Sequence, residues 1–135
     1  MSAVRPQPGV ERRRLDDDAR LLDRAAELLE GGWCRRGLAR DHAGRQVEPW
    51  SESARSWSLL GALLTAWYDD RTVDREAFES AYVALAIVTG GRVEEWNAAR
   101  WRTKRHVLSA VARARVSLPI ARLQVADRDG DAVPV

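Results

Sequence analysis

The stretch from Ser53 to Tyr68 has the strongest apolar pattern in the chain and predicts a buried helix. It contains no proline, and from Ser56 to Tyr68 it contains no charged residue. Its length is typical of a helix rather than a strand. A stripe of small side chains along this helix would allow close approach to its backbone, either by another helix or by a ligand. The members of the stripe are Ala54, Ser58, Gly61, Ala62 and Thr65.

Three further stretches repeat apolar residues at intervals of three and four, which predicts amphipathic helices. Glycine pairs follow the first two stretches, as expected at helix ends, and a proline follows the last one. A short turn of helix is expected around Trp96, before the last stretch. The three helices are predicted at about Leu15–Leu29, Arg75–Val88 and Thr103–Ser117.

Residues 33–50 have no helical period, and they predict either a short hairpin or an irregular excursion. Gly37, Asp41 and Gly44 favour turns in this segment. A structured loop of this length in a small domain is often functional. The alternative is a long connector that Trp33 and Trp50 hold in place.

The pattern as a whole predicts an all-α fold, a compact bundle of about four main helices with a structured loop or short hairpin at 33–50. A chain of 135 residues is long enough for one domain with a substantial core. We expect a disordered N-terminal arm at 1–13, a single helical domain at 14–118 and a loose C-terminal tail at 119–135.

The composition narrows the possible functions. No apolar run is long enough to span a membrane, and the N-terminus lacks the apolar segment of a secretory signal, so we predict a cytoplasmic protein. A single cysteine, Cys34, excludes an internal disulfide, and two histidines are too few for a usual zinc site. We therefore predict no metal and no cofactor. The net charge of +2 is too small to indicate nucleic-acid binding by itself.

Several short motifs follow one another in a recognisable order. Together they resemble a family of small bacterial proteins that is known only as a domain of unknown function. The resemblance covers about residues 18–115, and it implies the boundaries of the fold rather than an activity. The motifs are Gly32-Trp33, Ala39-Arg40-Asp41, Trp57 followed by Gly61-Ala62-Leu63, Trp96-Asn97 and Arg102-Thr103.

The chain departs from that family pattern at three places. The pattern has cysteine at the position of Ser58 and aspartate at the position of Ala98. It also has a Pro-Gly turn where this chain has Arg100-Trp101. If family members use that cysteine or aspartate for chemistry, the resemblance implies that this protein has lost it or does something else.

Asp41 and His42 are the candidate catalytic residues, because a carboxylate beside an imidazole can take part in proton transfer. The alternative is an aspartate that only shapes the turn by accepting backbone hydrogen bonds. A thiol nucleophile built from Cys34 with His42, His106 and Asn97 has suitable residue types, but no local signature supports it.

Four of the six tryptophans fall in or beside loops, where an exposed indole is costly unless it packs on something. They either cover the core of the bundle or line an aromatic cleft, with polar groups on its floor and arginines at its rim. The predicted substrate-binding residues of this cleft are Trp33, Arg40, Ser58, Gly61, Thr65, Trp96, Asn97, Trp101 and Arg102.

These features predict a small-molecule-binding protein with a tryptophan-lined apolar pocket for an apolar or aromatic ligand. It would be a binding protein or a small, metal-independent tailoring or cyclising enzyme of secondary metabolism. The alternative is a non-enzymatic interaction module, in which the tryptophans form a protein-binding or homodimer surface. Nucleic-acid binding ranks third, because the basic residues around Trp101 do not form one stripe.

Overall fold

The computed structural model describes the backbone of residues 8–131 and the side chains of residues 17–128, which form six helices and one small sheet. The mainly helical class predicted from the sequence is confirmed, although these residues contain six helices rather than four main ones. Two strands of two residues each, β1 (Ala39–Arg40) and β2 (Ser56–Trp57), pair antiparallel. The helices are α1 (Pro8–Gly31), α2 (Leu59–Asp69), α3 (Arg75–Thr89), α4 (Val93–Ala98), α5 (Lys104–Val116) and α6 (Leu118–Asp131).

α1 supplies a long apolar face to the core. Leu22 and Leu29 are fully buried on it, and the helix packs against α2, α3 and α5. It begins at Pro8 rather than at Leu15. A proline suits the first turn of a helix, because its missing N–H would have no partner there. The segment predicted as a disordered arm is therefore helical from residue 8, while residues 1–7 lie outside the described part of the chain.

Apolar side chains from four helices meet in one core. Leu22 of α1, Leu63 of α2, Leu85 of α3 and Val107 of α5 have no exposed surface. Burying a side chain of this kind contributes about 1.5–3 kcal/mol. The core therefore fixes these four helices relative to one another. Within residues 8–131, none of the helices combines the length and the apolar character that a membrane crossing requires.

α2 begins later than the apolar pattern predicts, because Ser58 is its N-cap. The Ser58 hydroxyl accepts a hydrogen bond from the backbone N–H of Gly61 at 3.1 Å. Ser56–Trp57 form β2 instead of a helical turn, and Ala54 lies in the loop before them. Only the last three members of the predicted small-residue stripe therefore belong to the helix.

Backbone from the preceding loop covers the small face of α2. A Cβ atom on Gly61 would lie 1.8 Å from the carbonyl oxygen of Leu38, so only glycine fits there. One turn further on, the Thr65 hydroxyl donates a hydrogen bond to the carbonyl oxygen of Pro49 at 2.7 Å. Gly61 and Thr65 thus face loop backbone rather than another helix or an open pocket, which corrects both interpretations for these two members of the stripe.

Residues 33–50 form a turn and one strand rather than a regular hairpin of their own. The turn closes through a hydrogen bond from Asp41 N to Arg45 O at 2.9 Å. Its two arms share an isolated bridge between Arg40 and Gln46, whereas the ladder partner of β1 is β2. The loop therefore closes back on the residues that lead into α2, which holds it against the core.

α6 takes the place of the predicted loose tail as far as residue 131. It packs against α3 and buries Ala121 and Val125. Pro119 lies in its first turn, where a proline is tolerated, so this proline marks the start of a helix as well as the end of α5. Arg122 forms a two-point ion pair with Asp18 of α1, at 2.7 and 2.6 Å, and Asp18 is 1% exposed. Residues 132–135 of the predicted tail lie outside the described part of the chain.

We expect Asp18→Ala to lower the free energy of unfolding by about 3 kcal/mol, because it removes a buried carboxylate that accepts two hydrogen bonds from Arg122. Urea unfolding at neutral pH measures the loss. Asp23→Ala is the matched control, since the ion pair of Asp23 with Arg115 at 3.2 Å has both side chains 55% exposed. Such a pair contributes about 0–1 kcal/mol. Equal losses in the two variants would contradict the role of Asp18 in holding α6 to α1.

Gly61→Ala should destabilise the protein by about 3 kcal/mol or more, since the new methyl group would collide with backbone. That backbone cannot move without breaking the hydrogen bond from Ser58 N to Leu38 O at 3.1 Å. Gly31→Ala is the control, because nothing lies within 4 Å of a Cβ atom there, and its stability should match or slightly exceed that of the wild type. Thermal unfolding compares them, and a fully stable Gly61→Ala variant would disprove the close contact.

Candidate functional site

The side chain of Asn97 joins three segments that are distant in the sequence. Asn97 lies on α4 and is 1% exposed. Its Oδ1 accepts hydrogen bonds from Trp33 Nε1 at 2.9 Å and from the backbone N–H of Leu59 at 3.1 Å. Its Nδ2 donates to the carbonyl oxygens of Cys34 at 3.1 Å and Arg35 at 2.9 Å. Asn97 and these partners are called the Asn97 node below.

In the Asn97 node, the oxygen and the nitrogen of the amide each take part in two hydrogen bonds. The two partners of the oxygen are donors and the two partners of the nitrogen are acceptors, so only one orientation of the side chain fits. Any other residue would leave buried backbone or indole groups unpaired, which costs about 1–3 kcal/mol for each group. The node therefore fixes the loop against α4 and against the first turn of α2.

Arg35 extends the node to the turn between α4 and α5. Its guanidinium lies 5.2 Å from the centre of the Trp33 ring. One terminal nitrogen donates to the carbonyl oxygen of Ala99, and the other donates to that of Arg102 at 2.9 Å. Backbone carbonyls thus satisfy this guanidinium in the place of an acidic side chain, and they tie the turn to the same loop that Asn97 holds.

Arg102 packs between two tryptophans at the end of this turn. Its guanidinium carbon is 3.5 Å from the centre of the Trp96 ring and 4.1 Å from that of Trp101. Its Nε donates to the carbonyl oxygen of Trp96 at 2.8 Å. Burial, and to a smaller extent the charge of Arg113, lowers the pKa of Arg102, but a guanidinium stays charged at neutral pH. Cation–π contact therefore stabilises the buried charge.

A groove of about 240 Å³ opens beside the node, and it is called the Arg36 groove below. Ser58 and Asn97 are its buried lining residues, whereas Arg36 and Glu94 are exposed. Neither Arg36 nor Glu94 has an ion-pair partner among the side chains of residues 17–128. The complete lining is Arg35, Arg36, Gly37, Leu38, Ser58, Glu94, Asn97 and Ala98.

The residues predicted to bind substrate fall into separate places. One set belongs to the node and its groove, a second packs together before α5, and a third is buried under the loop. Arg40 lies apart from all three, at the end of β1 beside the turn at the tip of the loop. The sets are Trp33, Ser58 and Asn97; Trp96, Trp101 and Arg102; and Gly61 and Thr65.

Asp41 and His42 lie in the turn at the tip of the loop and do not line the Arg36 groove. The Asp41 carboxylate accepts the backbone N–H of Arg45 at 2.9 Å, and Arg40 donates to the carbonyl oxygen of Gly44 at 2.7 Å. The Arg45 N–H is the main reason that the pKa of Asp41 is lowered, which makes the carboxylate a weaker base. These contacts favour the turn-forming interpretation, and the catalytic pair stays a prediction.

Cys34 is buried and lacks the surroundings of a reactive thiol. Burial raises the pKa of Cys34, although a hydrogen bond from Ser56 and the charge of Arg40 act in the opposite direction. A thiol that stays protonated is a poor nucleophile. His106 caps α5 instead of approaching the thiol as a base, since its Nδ1 accepts the N–H of Thr103 at 3.1 Å. Among residues 17–128, no group of three His, Cys, Asp or Glu side chains could hold a metal ion.

Three of the six tryptophans use their indole N–H to hold the fold together. Trp33 donates to the node, Trp57 donates to the carbonyl oxygen of Pro49 at 2.9 Å, and Trp67 donates to that of Val73 at 3.1 Å. None of the six lines the Arg36 groove. The groove therefore differs from the tryptophan-lined apolar pocket predicted from the sequence, because no indole belongs to its lining.

Arg35, Arg36 and Glu94 give the groove its charge, and sequence reasoning missed all three as site residues. The sequence offers one signal for the two arginines, which is that they are adjacent in a loop. Adjacent residues in a loop that packs on the core point to different surroundings. Arg35 points to the α4–α5 turn and Arg36 to the groove. The bonds from Arg35 to that turn bridge about half of the chain, and no local pattern reveals such contacts.

The chain belongs to the family of unknown function DUF6197, whose model matches residues 13–116. The matched range contains the Asn97 node, the Arg36 groove and the packed arginine before α5, whereas α6 lies beyond it. Ser58 and Ala98 both line the Arg36 groove. No curated protein and no solved structure is similar to the chain.

Asn97→Asp should lower the free energy of unfolding by about 3 kcal/mol or more at neutral pH. The new carboxylate oxygen would face the carbonyl oxygens of Cys34 and Arg35, so the folded protein would raise the pKa of this aspartate. The loss is therefore smallest below the pKa of an unfolded aspartate, about 3.9, and it grows as the pH rises through the folded pKa. Urea unfolding at about pH 4 and about pH 7 measures both values.

Asn97→Leu is the control for this test, because it has a similar size and cannot titrate. Its loss of stability should be large and nearly the same at both pH values. A loss for Asn97→Asp that does not depend on pH would contradict the two hydrogen bonds that Nδ2 donates.

Proposed function

We propose that this DUF6197 protein binds a small polar molecule in the Arg36 groove. One observation carries the proposal: Arg36 and Glu94, which have no ion-pair partner among the side chains of residues 17–128, line a groove that also contains two buried polar residues. The Asn97 node fixes the walls of the groove in advance. A preformed site with a few placed polar groups is the usual form of a small-molecule site, since little ordering is needed on binding.

The two charges favour a zwitterionic ligand. Arg36 would bind a carboxylate, and Glu94 would bind an ammonium group. A volume of about 240 Å³ is at the small end for ligand sites, which favours a molecule of about the size of an amino acid. We propose this ligand in place of the apolar or aromatic molecule predicted from the sequence, because Arg36 and Glu94 line the groove beside its apolar residues Leu38 and Ala98.

We propose binding rather than catalysis at this site. The Ser58 hydroxyl is engaged as the N-cap of α2, and the Asn97 amide has all of its hydrogen bonds. Neither group is free to act as a nucleophile or to transfer a proton. A tailoring or cyclising reaction therefore stays a prediction, one that none of these contacts supports.

A protein-interaction or dimerisation module is the second candidate function, and an exposed aliphatic stripe favours it. Val116 is 82% exposed, Ile120 is 57% exposed and Leu123 is 65% exposed, at spacings of four and three along α5 and α6. Exposed apolar stripes often mark interfaces.

Sedimentation at high protein concentration tests this candidate: a dimer that Ile120→Glu dissociates would support it, and a strict monomer would count against self-association. Nucleic-acid binding stays the third prediction.

The groove proposal predicts that amino acids and similar zwitterions raise the melting temperature of the protein. A panel of zwitterionic, anionic, cationic and neutral metabolites, measured by thermal shift and then by calorimetry, provides the test. We expect stabilising compounds to be concentrated among the zwitterions, because only they satisfy both unpaired charges.

Arg36→Glu should abolish the effect of every stabilising compound by reversing the charge that meets the carboxylate. Arg71→Glu is the matched control, since Arg71 is also exposed and lies over the Tyr68 ring at 5.7 Å, away from the lining of the groove. A panel without any stabilising zwitterion, or stabilisation that persists in Arg36→Glu, would overturn the proposal.

A further inference from the structure

Arg102 is the one buried arginine among residues 17–128, with 7% of its surface exposed. No carboxylate in that range pairs with it, and the only hydrogen bond of its side chain there runs from Nε to the carbonyl oxygen of Trp96. Every fully buried side-chain nitrogen or oxygen in the described part of the chain has a partner. Nη1 and Nη2 have none, so both atoms keep contact with solvent.

The two tryptophans determine which edge of the guanidinium is free. The ring centres of Trp96 and Trp101 lie 3.5 and 4.1 Å from its central carbon. Two rings this close cannot share one face, so each of them covers one face of the plane. Nε is occupied, which leaves the edge formed by Nη1 and Nη2. That edge is a rigid fork, and it matches two oxygen atoms of one oxyanion.

Among residues 17–128, Arg102 has basic neighbours in the chain and no acidic partner. Burial lowers the pKa of Arg102 most, and the charge of Arg113 lowers it further. The first turn of α5 carries Lys104 and Arg105 and no acidic residue, although a helix N-terminus is a favourable place for negative charge. Lys104 donates to the carbonyl oxygen of Glu30 and not to a carboxylate. An anion would relieve this repulsion.

We infer that Arg102 is the centre of a binding site for the phosphate group of a small phosphate monoester. The Nη1–Nη2 edge would hold two phosphate oxygens, and Arg113 would contribute a second positive charge. A phosphate monoester carries about −1.5 to −2 charges at neutral pH, which matches two guanidinium groups better than a carboxylate does. Trp101, which is 67% exposed, offers a ring edge and face to the rest of the ligand. This site does not depend on the Arg36 groove.

Titration of the full chain with inorganic phosphate tests the inference. Sodium chloride keeps the ionic strength constant, and tryptophan fluorescence reports on the rings beside Arg102. We expect a saturable change with phosphate and a much weaker one with acetate. Arg102→Gln should abolish the change, and circular dichroism checks that this variant is folded. Arg113→Gln, on the exposed face of α5, should weaken binding on the order of tenfold and leave the melting temperature without phosphate unchanged.

Two further variants make the result specific. Arg71→Gln removes an exposed arginine that also lies over an aromatic ring, and it should bind phosphate as the wild type does. Arg36→Glu should keep the phosphate response even if it abolishes zwitterion binding, so the two proposals can fail separately. The inference is overturned if phosphate acts no differently from chloride, if Arg113→Gln binds as tightly as the wild type, or if a single-stranded oligonucleotide binds while inorganic phosphate does not.

Discussion

The fold around the candidate site depends on one buried amide. Asn97 bonds to Trp33 and Arg35 across sequence separations of 64 and 62 residues, and to the first residue of α2. Its bonds to Leu59 and Cys34 are buried, so losing the amide would leave those two backbone groups without a partner. The loop, α4 and α2 can therefore take their places only together. The α4–α5 turn follows, because Arg35 binds the carbonyl oxygens of that turn from the same loop.

Elements with strong local signals could be predicted from the sequence. α3 and α5 match their predicted ranges within about a turn, since Asp74 and Thr103 accept the backbone hydrogen bonds of helix N-caps and glycine follows α3. The start of α2 could not be predicted in the same way, because several serines there are equally good caps. The choice of Ser58 comes from a contact with Leu38, which the local sequence does not contain. The sequence did not predict α6, because Pro119 was interpreted only as the end of α5. A proline is found after one helix as readily as in the first turn of the next.

The candidate site could be predicted only in part, because its contacts also join residues that are distant in the sequence. Asn97, Trp33 and Ser58 stand out by residue type, and they do lie near one another. Their roles depend on partners that are distant in sequence: the indole and the backbone satisfy the amide, and the hydroxyl caps a helix. A surplus of tryptophan indicates aromatic packing, but it cannot tell whether an indole faces a ligand or a carbonyl. Arg36 and Glu94 have no local feature that separates them from ordinary surface charges.

Arginine side chains in two parts of the molecule are held in different ways. Between α1 and α6, Arg122 is matched by the Asp18 carboxylate, and the pair is neutral. In the turn before α5, Arg35 and Arg102 are held by carbonyl oxygens and by aromatic rings, which orient a guanidinium without cancelling its charge. The net charge of the chain is small, so it does not indicate this local excess of positive charge. A cation that is fixed in orientation and left uncompensated is preorganised for an anion, because no existing ion pair must break before the ligand binds.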